Sequence, residues 1–172
     1  MKMMTSAYAV KYLRSLEEDK AYWTNMEAER CTYTAAVDEE PVIPEYDYSQ
    51  VAKTIAELDD KILIVKHAIN FANATARIQV GEMEYSVDSI LIKMAQTTRR
   101  KTLLDGLRKN QPQARVDNSY SYAARKGIVE YTYINYDLDL IKSEFERVSD
   151  ELMALQIALD KYNQTVEFEV DV

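Results

Sequence analysis

Two stretches of this sequence share one spacing of apolar residues, which constrains the fold more than any other feature. The apolar positions step alternately by three and four residues. They are Tyr48, Val51, Ile55, Leu58, Ile62, Val65, Ile69 and Ala72 in the first stretch, and Leu138, Ile141, Phe145, Val148, Leu152, Leu155, Leu159 and Tyr162 in the second. A heptad spacing kept this long is typical of a helix with one apolar face, as in a coiled coil. It predicts two helices of about 27 residues, each about 40 Å long.

The two stretches are also one pattern displaced by 90 residues. Asp47 and Asp137 each precede the first apolar position, where an aspartate can accept hydrogen bonds from the free N–H groups of a helix start. Asn73 and Asn163 each follow the last apolar position. Because asparagine tolerates the left-handed backbone that closes many helices, we expect each to end its helix.

After each predicted helix the apolar period changes from about 3.6 to 2, which is typical of a half-buried strand. The alternating segments are residues 75–80 and 165–170. Together with the helices they form an internal helix–strand repeat over residues 46–80 and 136–170.

The remaining segments are predicted from weaker patterns. A first helix is expected from Ser6 to Val37 and a third from Val87 to about Lys109. Residues 110–127 are rich in polar residues and predict an exposed loop. Residues 127–134 alternate and predict a third strand.

Composition supports long helices. The 172 residues include only 3 Gly and 3 Pro, the two residue types that most disfavour helices. A chain of this length buries about 70% of its unfolded surface and needs no disulfide or metal to fold. We therefore predict a single mainly α domain over residues 1–172. It would be an up-down-up-down four-helix bundle of long helices with short β-strands at the helix ends.

Positive charge is concentrated in one part of a chain whose net charge is −8. From Arg99 to Lys126, eight basic and two acidic residues give +6, so the remainder carries −14. One interpretation is that these cations complement the dipole at the end of the third helix. The other is a region that binds an anionic partner, an acidic protein or RNA, through basic and aromatic side chains. Its candidate residues are Arg99, Arg100, Lys101, Arg108, Lys109, Arg115, Tyr120, Tyr122, Arg125 and Lys126.

Few residues are suited to catalysis. His67 is the only histidine and Cys31 the only cysteine, which excludes di-iron centres and zinc hydrolases, since both need several such ligands. Glycine occurs only at positions 81, 106 and 127, so the common phosphate-binding loops are excluded. Adjacent carboxylates are typical of a solvated helix face. We therefore predict no catalytic residue, no metal site and no cofactor, in a protein that is not an enzyme.

The sequence also predicts where the protein works. The first ten residues lack the apolar core of a signal peptide. No run approaches the roughly 18 apolar residues that a membrane span needs. We expect a cytoplasmic protein without a membrane partner.

Three further motifs lie between Tyr46 and the C-terminus. They are Ile69-x-x-x-Asn73-x-Thr75, the turn from Gly81 to Leu91, and Leu159-Asp160-x-x-Asn163. Through them the chain resembles the septicolysin-like group of uncharacterised bacterial helical proteins over about three quarters of its length. The resemblance implies a helical bundle and brings no catalytic residue with it.

The distribution of tyrosine favours half-buried helix ends first, with an assembly interface as the second interpretation. More than half of the 13 tyrosines fall at helix starts, in the predicted loop or in the third strand: Tyr46, Tyr48, Tyr120, Tyr122, Tyr131, Tyr133 and Tyr136. Tyrosine combines apolar area with a polar tip and suits half-buried ends as well as interfaces. We predict a non-enzymatic helical scaffold or assembly protein that forms a homo-oligomer through its seams or strand edges. The alternative is the module for an anionic partner, with nucleic acid in general not expected.

Overall fold

The computed structural model describes residues 1–116 and 127–172, and they form a mainly helical fold with short antiparallel strands. The helices are α1 (Ser6–Arg30), α2 (Tyr48–Thr75), α3 (Val87–Leu107) and α4 (Leu138–Thr165). The strands are β1 (Lys2–Thr5), β2 (Arg77–Val80), β3 (Met83–Ser86), β4 (Gln113–Arg115), β5 (Tyr131–Tyr133) and β6 (Glu167–Val170). The prediction of a mainly α chain with short strands is confirmed.

The two heptad stretches form helices of identical length and position in their repeats. α2 and α4 each have 28 residues and start 90 residues apart. Each is followed, after one residue, by a strand of four residues, β2 or β6. The displacement of 90 residues is therefore kept through the whole helix–strand segment.

Both helices start at the predicted aspartates. Asp47 Oδ1 accepts hydrogen bonds from the backbone N–H groups two and three residues further on, at 2.8 and 3.2 Å. Asp137 Oδ1 accepts the equivalent pair at 2.9 and 3.1 Å. These bonds satisfy N–H groups that have no partner within the helix, so the predicted N-caps are confirmed.

The helix ends differ from the prediction. Asn73 and Asn163 do not end the helices, which continue to Thr75 and Thr165. No non-glycine residue in the described segments has a positive φ, so neither asparagine adopts the left-handed conformation. The threonine hydroxyls donate to the carbonyls one turn back, each at 2.7 Å, which is a common local hydrogen bond of threonine in helices.

Two antiparallel strand pairs follow the long helices. β2 pairs with β3 across a tight turn in which Gly81 has φ +60°, a conformation that glycine adopts without strain. β6 pairs with β1, so that Lys2 lies opposite Val170 and Thr5 opposite Glu167. The sequence patterns did not predict β1 or β3, because each is a short segment whose stability comes from a partner strand.

A third strand pair lies between α3 and α4. β4 pairs with β5, with Arg115 opposite Tyr131, and a bond from Val116 N to Glu130 O extends the ladder at 2.9 Å. The strand predicted over residues 127–134 is confirmed at Tyr131–Tyr133. Within residues 110–127, which are predicted to be an exposed loop, residues 113–115 form β4 opposite the tyrosine-rich strand and are exposed, and residues 117–126 lie outside the described segments.

The first helix is shorter than predicted. α1 ends at Arg30 rather than at Val37, and its last helical bond runs from Cys31 N to Glu27 O at 2.9 Å. Residues 31–43 are exposed. Without an apolar face to bury, the threonines and tyrosine that follow Cys31 do not favour helix strongly enough to continue it.

The chain forms two compact units, residues 1–88 with 158–172, and residues 89–157. In the first unit, α1 and α2 pack antiparallel around a core that includes Ala9, Leu16, Leu58 and Val65. Two ion pairs join them, Lys20–Asp59 at 2.5 Å and Glu17–Lys66 at 2.7 Å. In the second unit, the buried residues of α3 and α4 are Ile90, Thr97, Leu104, Val148 and Leu155.

Both halves of the chain contain a strand, two helices and a strand in this order, and the second half has β4 and β5 between its helices. Buried positions of α1 recur in α3 after 81 residues, as Ser6 and Val87, Ala9 and Ile90, Leu16 and Thr97. Buried positions of α2 recur in α4 after 90 residues, as Leu58 and Val148, Val65 and Leu155, Ala72 and Tyr162. β6 pairs with β1 as β2 pairs with β3. Equivalent buried positions therefore occur in both helices of each half.

Candidate functional site

The structure separates the predicted partner-binding residues. Arg99, Arg100 and Lys101 lie in α3, Arg108 and Lys109 directly after it, and Arg115 in β4. The other four predicted residues lie outside the described segments: Tyr120, Tyr122, Arg125 and Lys126. Six of the ten predicted residues, all of them cations, therefore lie in the described segments.

Two of these cations are held by one carboxylate. Asp105 Oδ1 accepts from Arg108 Nε at 2.8 Å, and Asp105 Oδ2 from Lys109 Nζ at 2.5 Å. The hydrogen bonds from Lys109 and Arg108 hold the pKa of the Asp105 carboxyl below its usual value of 3.8. Charge at this end of α3 is thus partly neutralised by the helix itself.

An aromatic ring takes part of the remaining charge. The guanidinium carbon of Arg108 lies 4.0 Å from the centre of the Phe145 ring, and Lys101 Nζ lies 5.5 Å from it. Cations at these distances are attracted by the negative face of the ring. Arg108 and Lys101 therefore have a packing role between α3 and α4, which the prediction of a partner-binding surface did not include.

The other three described cations are free of ion pairs. Arg99, Arg100 and Arg115 are exposed, and none of them forms an ion pair within residues 1–116 and 127–172. Arg100 also interacts electrostatically with Glu144 and contributes to the lowered pKa of that carboxyl.

Carboxylates near the start and middle of α4 are paired with cations. Lys93 Nζ lies 2.8 Å from Glu151, and Arg147 Nη2 lies 2.6 Å from Glu144. The hydrogen bond from Lys93 lowers the pKa of Glu151, and that from Arg147 lowers the pKa of Glu144. A general acid at neutral pH needs the opposite shift, so these two carboxyl groups are suited to structure rather than to proton donation.

Two of the tyrosines singled out as interface candidates have structural partners. The hydroxyl of Tyr136, directly before α4, donates to the Leu107 carbonyl at the end of α3 at 2.7 Å. The hydroxyl of Tyr46, in the equivalent place before α2, donates to Glu27 Oε1 near the end of α1 at 3.2 Å. Each tyrosine joins the two helices of its half, which is the structural role rather than the interface role.

One concave feature of the first unit is a groove, which we call the α2–β6 groove. Its volume is about 930 Å³. Leu63, His67 and Phe71 line it from α2, and Val166 and Phe168 line it from the segment of β6. Leu63 and Phe71 are 68% and 64% exposed. The groove is thus a large, mainly apolar concavity that contains the only histidine of the chain.

Polar groups lie at the floor and rim of this groove. Tyr162 lines it and is 4% exposed, and its hydroxyl has no hydrogen-bond partner among the described residues. Burial raises the pKa of this hydroxyl. The acidic residues Glu167, Glu169 and Asp171 also line the groove. A buried hydroxyl without a partner costs about 1–3 kcal/mol.

The sequence did not predict the groove. His67 is exposed, and the return of β6 along α2 makes it part of a concave wall. His67 lies outside the apolar heptad positions of α2. That position cannot indicate that a strand about 100 residues later packs beside it. The signal in the sequence was a pair of large apolar residues, Leu63 and Phe71, on one helix face outside the heptad positions.

Other classes of site find little support in the part of the chain that is described. Residues 1–116 and 127–172 contain no group of three or more His, Cys, Asp or Glu side chains placed to hold a metal ion. Cys31 is exposed and forms no disulfide. None of the helices there has the length and apolar character required to cross a membrane.

Comparisons with known proteins show the fold alone. No family model matches the chain, and no curated protein matches it. The crystal structure of a functionally unknown conserved protein from Corynebacterium diphtheriae is similar, with a TM-score of 0.58 and 15% sequence identity. The similarity covers 98% of this chain and 100% of the other. The arrangement of elements is therefore found in a solved structure, whose sequence has diverged far from this one.

Proposed function

We propose that this protein is a non-enzymatic assembly protein that associates with further copies of itself. The observation that supports this proposal is a set of exposed apolar residues at equivalent positions of the two halves. On α1 and α3 the pairs are Val10 with Leu91, exposed by 52% and 47%, and Tyr22 with Leu103, exposed by 64% and 54%. Single exposed apolar residues are ordinary, but matched ones indicate two equivalent contact surfaces.

The matched exposed residues support self-association because the chain carries them twice, at equivalent positions of its two halves. A chain that presents the same contact residues twice can bind two neighbours, or bind one neighbour by two matched contacts. Symmetric homo-oligomers commonly use such equivalent surfaces. A third pair, Leu63 and Met153, is exposed by 68% and 63% on α2 and α4. We base the proposal on α1 and α3, because Leu63 also forms the wall of the α2–β6 groove.

We also infer that the long helices pack as two antiparallel pairs, α1 with α2 and α3 with α4, as an up-down-up-down order requires. The antiparallel ion pairs of α1 with α2 support it, as does the pair Lys93–Glu151, which joins the start of α3 to the middle of α4. Membership of the septicolysin-like group stays a prediction that rests on the sequence motifs.

The test is the molar mass in solution at rising protein concentration, by sedimentation velocity. We expect dimers or larger species at high micromolar concentration. The double variant Tyr22→Ser/Leu103→Ser should weaken association by about tenfold or more, since each serine removes an apolar contact worth about 1–2 kcal/mol.

Leu140→Ser is the matched control. Leu140 is 63% exposed, but the equivalent residue of the first half is the polar Gln50, so it belongs to no repeated pair. Its association should equal that of the wild type. A strict monomer at high concentration, or equal weakening by Leu140→Ser, would contradict the proposal.

A second candidate function is binding of an anionic partner. It is favoured by Arg99, Arg100 and Arg115, which are exposed and form no ion pair with a described residue. Arg99→Glu/Arg115→Glu should abolish salt-dependent binding to an acidic protein or to RNA, whereas Lys61→Glu on α2 should leave it unchanged. Binding that ignores salt concentration would exclude this function.

A further inference from the structure

We propose that the α2–β6 groove binds a small cationic amphiphile, an apolar chain or ring system with a protonated amine at one end. The site is independent of the self-association proposed above. Its volume of about 930 Å³ lies in the range of small-molecule sites, which is about 300–1,000 Å³. The chemistry of its lining points to both parts of the ligand.

The apolar part follows from the walls. Leu63 and Phe71 lie two turns apart on α2, and both line the groove. They are exposed by 68% and 64%. Val166 and Phe168 supply the opposite side. An apolar chain in this groove would remove these four side chains from water, which favours binding roughly in proportion to the area covered.

The charge of the ligand follows from the rim. Three acidic residues line the groove, Glu167, Glu169 and Asp171, and no lysine or arginine is among its described lining residues. Asp171 lies 3.7 Å from the N-terminal amine. Glu167 and Glu169 form no ion pair with a described residue, so their charge is available to a ligand. A cation is attracted to this groove and an anion is repelled.

The hydrogen-bonding part follows from Tyr162. This residue is 4% exposed and its hydroxyl lacks a partner within the described segments. A ligand N–H group would give that hydroxyl the bond it lacks. An amine with N–H groups should therefore bind better than a quaternary ammonium of the same charge and chain length.

The experiment uses four probes with the same ten-carbon chain, below their micelle concentrations: decylamine, decyltrimethylammonium, decanoate and decanol. Affinity is measured by isothermal titration calorimetry on the full chain. The imidazole signals of His67, the only histidine, report binding in the groove by NMR. We expect decylamine to bind at one site and shift these signals, and decanoate to bind at least about tenfold more weakly.

Variants separate the three parts of the site. Tyr162→Phe should weaken decylamine at least about threefold without changing decyltrimethylammonium, because only the amine can pair with the hydroxyl. Leu63→Ser should weaken both cations, whereas Met153→Ser, at the equivalent exposed position of α4, should weaken neither. Glu167→Gln/Glu169→Gln should reduce the preference for decylamine over decanol.

Three results would overturn the proposal. They are no decylamine binding by the folded protein, decanoate binding as tight as that of decylamine, and equal effects of Leu63→Ser and Met153→Ser. Unchanged decylamine affinity in Tyr162→Phe would contradict the proposed hydrogen bond between the amine and the hydroxyl. Circular dichroism of each variant distinguishes lost binding from lost folding, and none of these results depends on whether the protein forms oligomers.

Discussion

The guanidinium group of Arg108 lies over the ring of Phe145, with its central carbon 4.0 Å from the ring centre. Asp105 holds the same guanidinium from the other direction through Nε at 2.8 Å. Arg108 is thereby fixed between a carboxylate of its own segment and an aromatic ring of α4. These two contacts of Arg108 join the end of α3 to α4.

We expect Phe145→Leu to lower the free energy of unfolding by about 1 kcal/mol. Leucine keeps most of the apolar volume but has no negative ring face for Arg108 and Lys101. Urea unfolding followed by circular dichroism measures the change. Phe71→Leu is the control, because Phe71 is 64% exposed and its ring contacts no cation in the described chain. If both substitutions cost the same, the cations do not stabilise α4 through the ring.

The two capping aspartates should contribute equally. Asp47→Ala and Asp137→Ala each remove the acceptor of two backbone N–H groups, and each should cost about 1 kcal/mol. Asp47→Asn and Asp137→Asn keep an acceptor oxygen and should cost much less. Urea unfolding of the four variants makes the comparison, and a large cost confined to one half would show that the equivalent caps have unequal roles.

Acid should destabilise the second unit through its paired carboxylates. The pKa values of Asp105, Glu144 and Glu151 are lowered in the folded protein, from reference values of 3.8, 4.5 and 4.5. Such groups contribute stability above their unfolded pKa values, and that contribution is lost as pH falls through the folded values. Stability should therefore decrease as the pH falls from about 4.5 downward.

Glu151→Gln tests this acid dependence. It removes the partner of Lys93 and should reduce stability at pH 7 while making the loss between neutral and acidic pH smaller. Glu146→Gln is the control, since Glu146 is an exposed carboxylate on the same helix without an ion pair to a described residue. Unfolding curves from neutral pH downward give both slopes, and parallel slopes for wild type and Glu151→Gln would contradict the prediction.

A circular permutant should fold. The N-terminal amine lies 3.7 Å from Asp171 Oδ1, so a flexible linker of about four residues can join Val172 to Met1. New ends between Gly81 and Glu82 would exchange the roles of the β2–β3 and β6–β1 pairs, which are equivalent in the repeat. Its helix content by circular dichroism should match that of the wild type. A permutant opened within α2, between Lys61 and Ile62, should lose helix and stability.

The long helices α2 and α4 could be predicted because their cores are periodic. Val51, Leu58 and Val65 recur every seven residues, and all three are buried. Because residues seven apart lie on the same face of a helix, this period predicts which face of α2 is buried. Asp47 and Asp137 could be predicted as caps for a similar reason, since they lie directly before the first turn.

Features that depend on distant partners could not be predicted. β1 contains only Lys2–Thr5, and its formation depends on β6, more than 160 residues later. The α2–β6 groove has the same origin, because Leu63 and Phe71 become one wall only when Val166 and Phe168 lie opposite. The burial of Tyr162 without a hydrogen-bond partner is likewise a property of packing, which heptad position does not specify.

The pairing of β1 with β6 also determines how the molecule responds to force. Lys2 lies opposite Val170 and Thr5 opposite Glu167, so the two ends of the chain leave this ladder on the same side. A pull on both ends acts first on the outermost rung and opens the rungs one after another, like a zipper. We expect the strand pair to separate at low tension, well before the helices of either half unravel.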